Sequence, residues 1–425
     1  MRISFFTFGC TVNNYESQEL SRKLAQYGCE IVEQGETDVV IINSCVVTGA
    51  AEKGVLQLAE RQRKKRPEAL IIITGCYNEY IKKSGNRTAP GEGVILLDKK
   101  RPDFVEEVCR LYWRHTTSCA GTGGGNTVDK DNFRPVRAII QVQSGCDNMC
   151  SYCVVPHVRG GSVSTPYCDI EARLYELIGT GYREFVLAGL NLGSYDSTGM
   201  KLIDVMERID VISGVESIRL SSLEPMYISG DFIDRIPGIA KLQPHLHISL
   251  QSGCDRTLAR MNRNYSFEMY ENLVSKIRER IPDIAITTDI IVGFPGEGDR
   301  DFEESIENIV RCQFSDIHIF KYSARNGTAA AKMDGQVTEH KKNSRALQLK
   351  GVKQQARYNY YSRFLGREEL MTPLRRSDGS IWEGVTAHNF PVFMQADAQP
   401  DGIIPVKITG IIAGHNAFTA ERIRV

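Results

Sequence analysis

The strongest constraint on the fold is a repeated alternation of short apolar runs with amphipathic, helix-forming segments. Three such runs come early, at RISFFTFGC (2–10), DVVIINSC (38–45) and ALIIITGC (69–76), with polar stretches of helical spacing between them. Six further strand-like runs follow, near 137–143, 184–190, 216–222, 245–251, 284–293 and 316–322. This alternation is typical of α/β folds built on parallel sheets. The sequence therefore predicts an amino-terminal αβ domain with a parallel sheet and a central partial (β/α)6 barrel.

Composition indicates where the domains divide. The chain of 425 residues is long enough for about three domains. Stretches rich in Gly and Ser predict a linker over 101–131, and GTGGGN (121–126) precedes no Lys-Ser/Thr pair that would make it a phosphate loop. Short β-like runs such as FPVFMQAD predict a small all-β module at the carboxyl end. We expect domains at 1–100, 132–365 and 366–425, with a long helix between Thr338 as N-cap and Gly366 as stop signal.

Charge and hydropathy narrow the function classes. Lys and Arg number 52, as do Asp and Glu, so any affinity for nucleic acid must come from local patches. No apolar run is long enough to span a membrane, and the start MRISFFTFGC lacks the long apolar segment of a signal peptide. We therefore expect a cytoplasmic protein without membrane association. In that compartment its 12 cysteines are expected to bind metal or do chemistry rather than form disulfides.

The segment SGCDNMCSYC (144–153) places Cys146, Cys150 and Cys153, here called the loop trio, within a few positions of one another. A cubane of four irons and four sulfides normally takes one thiolate per iron, so three cysteines would leave one iron open. An open iron can bind the amino and carboxylate groups of S-adenosylmethionine and pass it an electron, which releases a radical. Structural zinc with His157 as a fourth ligand and inert buried thiols are the alternatives.

Cys10, Cys45 and Cys76, here called the strand-end trio, each end one of the first three apolar runs. In an open parallel sheet the carboxyl ends of the strands line the ligand crevice, so three thiols from distant sequence can converge there. Buried cysteines are also common at strand ends. Spacing alone leaves both a second iron–sulfur site and ordinary core packing open.

A set of motifs spread over most of the chain carries a family resemblance. The motifs are TFGCTVNNYES (7–17), INSCVVTGAAEK (42–53), ITGCYNEY (73–80), GCDNMCSYCVVPHVRGGSVS (145–164), FVLAGLNLGSY (185–195), IRLSSLEP (218–225), HISLQSGCDRTLARMNRNY (247–265), TDIIVGFPGEGDRDF (288–302) and IFKYSARNGTAA (319–330). Together they resemble the methylthiotransferase family of radical S-adenosylmethionine enzymes. The sequences CTVNNYES and SSLEP are most similar to those of the branch that acts on threonylcarbamoyladenosine in tRNA.

The resemblance implies two [4Fe-4S] clusters and S-adenosylmethionine as cofactors. The loop trio, Cys146, Cys150 and Cys153, would be catalytic, because it would hold the cluster that cleaves S-adenosylmethionine. The strand-end trio, Cys10, Cys45 and Cys76, would hold a second cluster, whose open iron would carry the sulfur, or the methylated sulfur, to be transferred.

Polar residues at the predicted strand ends are candidates for contacts with S-adenosylmethionine. Asn191, Glu224, Gln251 and Asp289 each lie at or just past such an end, where they can reach the methionyl and ribose groups. Ordinary loop positions explain them as well. Tyr152, between two cysteines of the loop trio, is a candidate for stacking on the adenine or for core packing.

The resemblance also implies tRNA, through its anticodon stem-loop, as the partner, and an electron donor such as flavodoxin or ferredoxin. Local basic patches occur at RQRKKR (61–66) and at 331–376, where eleven Lys and Arg stand against four acidic residues; a solvated helix face is the other explanation for the first. The carboxyl-terminal module resembles a small TRAM-like RNA-binding barrel. It departs from that pattern at WEGVTAHNFPVFM (382–394) and is poor in basic residues, while Val163 replaces an arginine frequent in relatives.

The implied reaction is methylthiolation at C2 of N6-threonylcarbamoyladenosine at tRNA position 37, with two molecules of S-adenosylmethionine per turnover. The same chemistry on isopentenyladenosine tRNA or on a ribosomal-protein aspartate is the nearest alternative. A noncatalytic iron–sulfur or tRNA-binding protein is an alternative from another class. The sulfur donor and the oligomeric state do not follow from the sequence.

Overall fold

The computed structural model describes residues 1–33, 36–84, 91, 93–118, 136–378, 380–398, 400–412 and 417–423. These residues form two compact units. The first comprises the described part of Met1–Asp129 together with Gly145–Gly161 and Ser323–Lys332. The second comprises the described part of Lys130–Ser144, Ser162–Tyr322 and Met333–Val425.

The first unit is a parallel sheet covered by helices. Its strands are β1 (Arg2–Thr7), β2 (Glu30–Ile31), β3 (Val39–Ser44), β4 (Leu70–Gly75) and β5 (Val94–Leu96), and its helices are α1 (Thr11–Gln26), α2 (Gly49–Lys65), α3 (Cys76–Ser84), α4 (Phe104–Ser118) and α5 (Val155–Arg159). The strands pair in the order β2-β1-β3-β4-β5, all parallel. Every residue of β3 and β4 is buried, as expected for strands covered on both faces.

The second unit contains a partial barrel of parallel strands followed by an all-β module. The strands up to the module are β6 (Arg137–Gln141), β7 (Gln143–Ser144), β8 (Val163–Ser164), β9 (Glu184–Ala188), β10 (Asp196–Ser197), β11 (Met200–Lys201), β12 (Ser217–Leu220), β13 (His245–His247), β14 (Ala285–Val292) and β15 (Asp316–Lys321). The helices are α6 (Tyr167–Gly179), α7 (Leu202–Asp210), α8 (Gly230–Arg235), α9 (Asp255–Arg260), α10 (Phe267–Arg280), α11 (Asp299–Arg311) and α12 (Glu339–Tyr361).

Six of these strands form the barrel wall. Strands β6, β9 and β12 make one parallel sheet, and β13, β14 and β15 make another. Parallel bridges from Ile218 to Leu242 and from Leu223 to Ile248 join the two sheets. One face of the wall packs its aliphatic side chains against the helices in a single core. The predicted fold class, including the partial (β/α)6 barrel, is confirmed.

The carboxyl-terminal module is a closed barrel. It consists of β16 (Glu368–Asp378), β17 (Ile381–Thr386), β18 (Pro391–Gln395), β19 (Ile404–Ile412) and β20 (Ala417–Arg422), closed in the order β16-β17-β18-β20-β19. It packs on the amino end of the parallel barrel, where Thr372 donates to Glu184 at 2.7 Å and Arg219 donates to the carbonyl oxygen of Thr386 at 2.8 Å. Burial alone would raise the pKa of Glu184, but Arg219 and Arg137 lower it to about 2. The module is therefore tied to the barrel by a buried charged network.

Helix α12 begins where the sequence predicts, because the Thr338 hydroxyl accepts a hydrogen bond from the Lys341 amide at 3.3 Å. It ends at Tyr361, before the predicted stop at Gly366. The predicted linker 101–131 is wrong over its first half, since α4 forms there and buries Phe104, Val105 and Val108 in the first unit. Residues 119–131 lie outside the described residues. None of the helices in the described part of the chain is long and apolar enough to cross a membrane.

The two compact units also divide the chain differently from the predicted domains. The segment Gly145–Gly161, which carries the loop trio, belongs to the first unit although it follows a barrel strand in sequence. Residues Ser323–Lys332 belong there too, since Arg325 pairs with Glu52 at 2.6 Å. Sequence order alone does not reveal that these two later segments pack with the first unit.

Candidate functional site

The strand-end trio lies at one edge of the first sheet. Strands β1, β3 and β4 are neighbours and parallel, and each is followed within a few residues by a cysteine. Cys10 is the N-cap of α1, Cys45 directly follows β3, and Cys76 is the first residue of α3. Parallel pairing therefore brings three thiols from distant sequence to the same edge.

The three thiols of this trio are close enough to influence one another's ionisation. Burial is the largest cause that raises the pKa of Cys45 to about 11, and negative charge on Cys76 and Cys10 contributes to the same rise. Gly9 has φ +108°, and a Cβ there would stand 3.0 Å from the Cys45 sulfur. A glycine is required at this position because any side chain would occupy the space beside the thiol.

The loop trio is held by a short, tightly turned segment of the first unit. The Cys146 amide donates to the carbonyl oxygen of Gly160 at 3.1 Å, and the Cys153 amide donates to that of Cys150 at 3.0 Å. The Val155 amide donates to the Cys153 sulfur at 3.4 Å. All three cysteines are half-buried. An amide donor favours the thiolate form that a metal requires.

The loop leaves no space for a side chain at Gly145. Gly145 has φ +71°, and a Cβ there would stand 1.8 Å from the carbonyl oxygen of Gly161. No other residue fits at 145 without moving the backbone that holds the loop. His157, the candidate fourth ligand of a zinc site, lies on α5 with an exposed side chain.

Three charged residues that sequence reasoning missed lie beside the strand-end trio. Arg159, at the end of α5, donates through Nε to the Cys76 sulfur at 3.2 Å. Its guanidinium also binds both carboxylate oxygens of Glu16, which in turn forms an ion pair with Lys99. We call Arg159, Glu16 and Lys99 the charged triad.

Burial shapes the ionisation of the charged triad. Burial alone would raise the pKa of Glu16, but Lys99 and Arg159 lower it. The pKa of Lys99 is lowered because burial outweighs its attraction to Glu16. Burial would also lower the pKa of Arg159, but Cys76 and Glu16 raise it. One carboxylate therefore faces two cations next to the thiols.

Among the predicted cofactor contacts, Asn191 stands out. Its side chain is 1% exposed. Among the described residues, neither its Oδ1 nor its Nδ2 has a hydrogen-bond partner. Leaving a buried amide unpaired costs roughly 1–3 kcal/mol per group, so this amide is available to a polar ligand or to an ordered water.

The side chains of Glu224 and Asp289 already contact protein groups, whereas Gln251 is marked by its backbone conformation. Glu224 forms an ion pair with Arg263, and burial raises its pKa. Gln251 adopts φ +70°, a left-handed conformation unusual for a residue with a side chain. Its backbone N–H donates to the backbone carbonyl oxygen of Asp289 at 2.8 Å. Tyr152, in the first unit, is half-buried.

Asp289 lies between two histidines. Its carboxylate contacts His247 Nε2 at 3.3 Å and His318 Nδ1 at 3.2 Å. One donor atom from each of these three residues lies within 4.8 Å of the other two, so the cluster has the spacing of a divalent-ion site as well as that of a hydrogen-bonded network. Burial would raise the pKa of Asp289, but both histidines lower it.

The two basic patches differ in how many of their basic side chains form ion pairs within the protein. On α12 and just after it, basic residues pair internally, and Arg345 is fully buried against Glu297 and Asp299. Lys353 likewise pairs with Asp316. In RQRKKR, by contrast, the side chains at 61, 63, 64 and 65 are exposed on α2, where Lys64 pairs with the likewise exposed Glu60. The patch over 331–376 has the larger excess of basic residues, but more of those residues form ion pairs that stabilise the fold.

Family profiles match both halves of the molecule. The Radical SAM superfamily matches residues 140–309, and the family described as Uncharacterized protein family UPF0004 matches residues 2–96. The first match covers the loop trio and most of the parallel barrel. The second covers the strand-end trio.

Curated relatives match over nearly the whole chain. The threonylcarbamoyladenosine tRNA methylthiotransferase MtaB of Thermotoga maritima is 35% identical over 371 residues, which cover 85% of this chain and 84% of that protein. The tRNA-2-methylthio-N(6)-dimethylallyladenosine synthase of Acetivibrio thermocellus is also 35% identical, over 95% of this chain and 88% of that protein. MtaB of Bacillus subtilis is 31% identical over 100% of this chain and 96% of that protein.

Among solved structures, a radical S-adenosylmethionine methyltransferase, TsrM from Kitasatospora setae, has a similar fold. The TM-score is 0.51 at 14% sequence identity, over 75% of this chain and 73% of that chain. At this identity the likeness concerns the fold alone.

Proposed function

Because the chain belongs to the family of radical S-adenosylmethionine tRNA methylthiotransferases, we propose that it adds a methylthio group to C2 of N6-threonylcarbamoyladenosine at position 37 of tRNA. Family membership confirms the resemblance found in the motifs and makes the protein an enzyme. The observation that carries the proposal is the pair of cysteine trios, each with three thiols, in one chain with a radical-enzyme barrel.

Members of this family use S-adenosylmethionine and two [4Fe-4S] clusters, and the residues present fit these groups. Three thiols per site match iron–sulfur ligation with one iron left open. In the second unit, the unpaired amide of buried Asn191 fits a polar ligand. We assign the loop trio to the cluster that binds S-adenosylmethionine and the strand-end trio to the cluster that binds sulfur.

When bound, the clusters and S-adenosylmethionine supply the electron, the radical and the methylated sulfur for the reaction. The chain supplies the ligands and their surroundings. The Val155 amide stabilises negative charge on Cys153, and Asn191 offers both a donor and an acceptor to the cofactor. Glu224 and Asp289 offer carboxylate oxygens to its hydroxyl and ammonium groups.

The choice between tRNA substrates rests on the polar face of the barrel wall. Relatives named for the two adenosine modifications are both 35% identical to this chain, so identity does not separate them. On the face opposite the helices, β13, β14 and β15 present His247, Thr287, Asp289 and His318, since His247 is in register with Thr287 and Asp289 with His318. A threonylcarbamoyl group carries a carboxylate and a hydroxyl that the two imidazoles and the Thr287 hydroxyl of this face can bind, whereas a dimethylallyl group is a hydrocarbon.

The exposed cations of RQRKKR support tRNA as the partner. Arg61, Arg63, Lys64 and Lys65 extend from the last turns of α2, where they can neutralise phosphates. Each phosphate contact releases counterions, so affinity for tRNA should fall as salt rises. We further assign electron supply to a small reducing protein such as flavodoxin or ferredoxin.

The test is analysis of modified nucleosides with reconstituted enzyme. Two tRNA substrates would be offered separately, one with threonylcarbamoyladenosine and one with isopentenyladenosine at position 37, together with dithionite and S-adenosylmethionine. We expect the methylthio product from the first substrate only. The product from isopentenyladenosine tRNA would overturn the substrate assignment, and absence of both products and of 5′-deoxyadenosine would favour a noncatalytic protein. A Cys153→Ala variant gives the background.

A further inference from the structure

The charged triad beside the strand-end trio has an unusual charge balance. Two cations, Arg159 and Lys99, share the single carboxylate of Glu16. Their side chains are 6% and 11% exposed, and that of Glu16 is 17% exposed. Removing a charge from water costs several kcal/mol unless an opposite charge compensates it. One positive charge of the triad therefore needs a further anionic partner.

The surroundings of the triad show where that partner lies. Arg159 Nε donates to the Cys76 sulfur at 3.2 Å, and Arg159 and Lys99 both interact electrostatically with Cys76. Asn13, which accepts from Arg159, lies beside Cys10, with 3.9 Å between the Cys10 sulfur and Asn13 Oδ1. The excess charge thus faces the strand-end trio rather than solvent.

The charged triad also links secondary-structure elements, but this structural role does not account for its second cation. Arg159 ties α5 to α1, and Lys99 ties the segment after β5 to the same carboxylate. Tying these elements together needs only a neutral pair, such as one arginine with one glutamate. The second cation is what a purely structural role leaves unexplained.

We propose that Arg159 and Lys99 hold anionic sulfur, as hydrosulfide or methanethiolate, at the open iron of the cluster assigned to the strand-end trio. Glu16 positions both cations and partly neutralises their positive charge. The inference rests on the proposed function, because it concerns the site assigned there to the sulfur-carrying cluster. Binding involves only donation of a sulfur electron pair to iron, with no change of oxidation state.

The proposal predicts opposite effects for opposite charges. Glu16→Gln removes the carboxylate and leaves two uncompensated cations, so hydrosulfide should bind more tightly. Arg159→Gln and Lys99→Met each remove the excess positive charge, so hydrosulfide should bind more weakly, by roughly tenfold to a thousandfold for a charge about 4 Å away. A structural role predicts that all three variants weaken binding, because each breaks the same network.

The experiment titrates anaerobically reconstituted full-length enzyme with sodium sulfide and follows the electron paramagnetic resonance signals of the reduced clusters. The cluster whose signal does not respond to S-adenosylmethionine is the one at the strand-end trio. A neutral isocyanide serves as a second probe, and its affinity should stay the same in all variants. Arg2→Gln is the matched control, since Arg2 also binds two carboxylates but lies at the opposite end of β1.

Two outcomes separate this inference from the proposed function. If iron content is normal but Glu16→Gln and Arg159→Gln shift hydrosulfide affinity in the same direction, or not at all, the inference is overturned and the cluster assignment stands. If wild-type protein shows no second cluster, the proposed function itself fails. Opposite shifts with unchanged isocyanide affinity would support the inference.

Discussion

The two cysteine trios achieve a similar ligand set by different routes. The loop trio comes from eight consecutive positions and is shaped by backbone turns, such as the hydrogen bond from Cys146 to Gly160. The strand-end trio comes from three strands whose cysteines are 35 and 31 residues apart, and only the pairing of β1, β3 and β4 brings them together. The first site is local in sequence and the second depends on the sheet. They should therefore fail under different perturbations.

The largest expected effect separates the two trios by reaction step. Cys153→Ala should reduce formation of 5′-deoxyadenosine to background, because it removes a ligand of the cluster assigned to S-adenosylmethionine. Cys76→Ala should leave that cleavage in place and abolish the methylthio product. Both products are measured by chromatography and mass spectrometry, with Cys168→Ala, an exposed cysteine outside both trios, as the control. Loss of cleavage in Cys76→Ala would show that the two sites are not separable.

The next effect concerns the glycines that shape each site. Gly145→Ala would place a Cβ 1.8 Å from the Gly161 carbonyl oxygen, and Gly75→Ala would place one 2.4 Å from Asn43 Oδ1, both at positive φ. We expect each variant to lose the iron of its own trio, from about eight irons to about four, and to retain the other.

Gly160→Ala is the control for these glycine variants. Gly160 also has positive φ, at +82°, but a Cβ there meets nothing within 4 Å. Because φ +82° with ψ −171° is a conformation that essentially only glycine adopts, backbone strain of roughly 1–3 kcal/mol is expected, with full iron content. Equal iron loss in Gly160→Ala and Gly145→Ala would mean that strain, rather than the close contact, controls the loop trio.

Acid should weaken the support of the strand-end trio in the metal-free protein. The pKa of Glu16 is lowered by Lys99 and Arg159 despite burial, so its stabilising contribution is complete above its unfolded pKa of about 4.3 and is lost as the pH falls below that value. Hydrogen exchange of α1 should therefore accelerate on acidification from pH 6 to below 4. In Glu16→Gln this acceleration should be absent. The same acceleration in the variant would place the acid sensitivity elsewhere.

The smallest effect concerns the helix that follows Cys45. The Thr48 hydroxyl caps α2 by accepting from the Ala51 amide at 3.1 Å. Thr48→Ala should lower the free energy of unfolding by about 1 kcal/mol, measured by denaturant titration, with no change in iron content. Iron loss from so mild a change would show that the strand-end trio depends on local capping as well as on the sheet.

The same contrast explains what the sequence could predict. The loop trio is visible because its spacing is local. The strands that precede Cys45 and Cys76 are visible because parallel strands buried on both faces are continuously apolar. The fold class follows from that periodicity. Helix α4 was missed because its sequence adjoins a Gly-rich stretch, although Phe104 and Val108 have helical spacing and are buried.

The charged triad could not be predicted. Glu16, Lys99 and Arg159 are separated by 83 and 60 residues, and a single Arg, Lys or Glu carries no local signal of burial. The position of His318 beside Asp289 could not be predicted either, because only the pairing of β14 and β15 brings these two residues into register. The basic patch over 331–376 shows the opposite error, because charge counting does not reveal that Arg345 is buried in ion pairs.

We infer that each trio binds a [4Fe-4S] cubane through three thiolates and leaves one iron without a protein ligand. The most direct test is iron and sulfide counting on anaerobically reconstituted protein, alongside the Cys10/Cys45/Cys76 and Cys146/Cys150/Cys153 triple alanine variants. The account predicts about eight irons and eight sulfides in the wild type and about four of each in either variant, four per cubane. Zinc in place of iron, or a wild-type count of about four that only one triple variant abolishes, would contradict it.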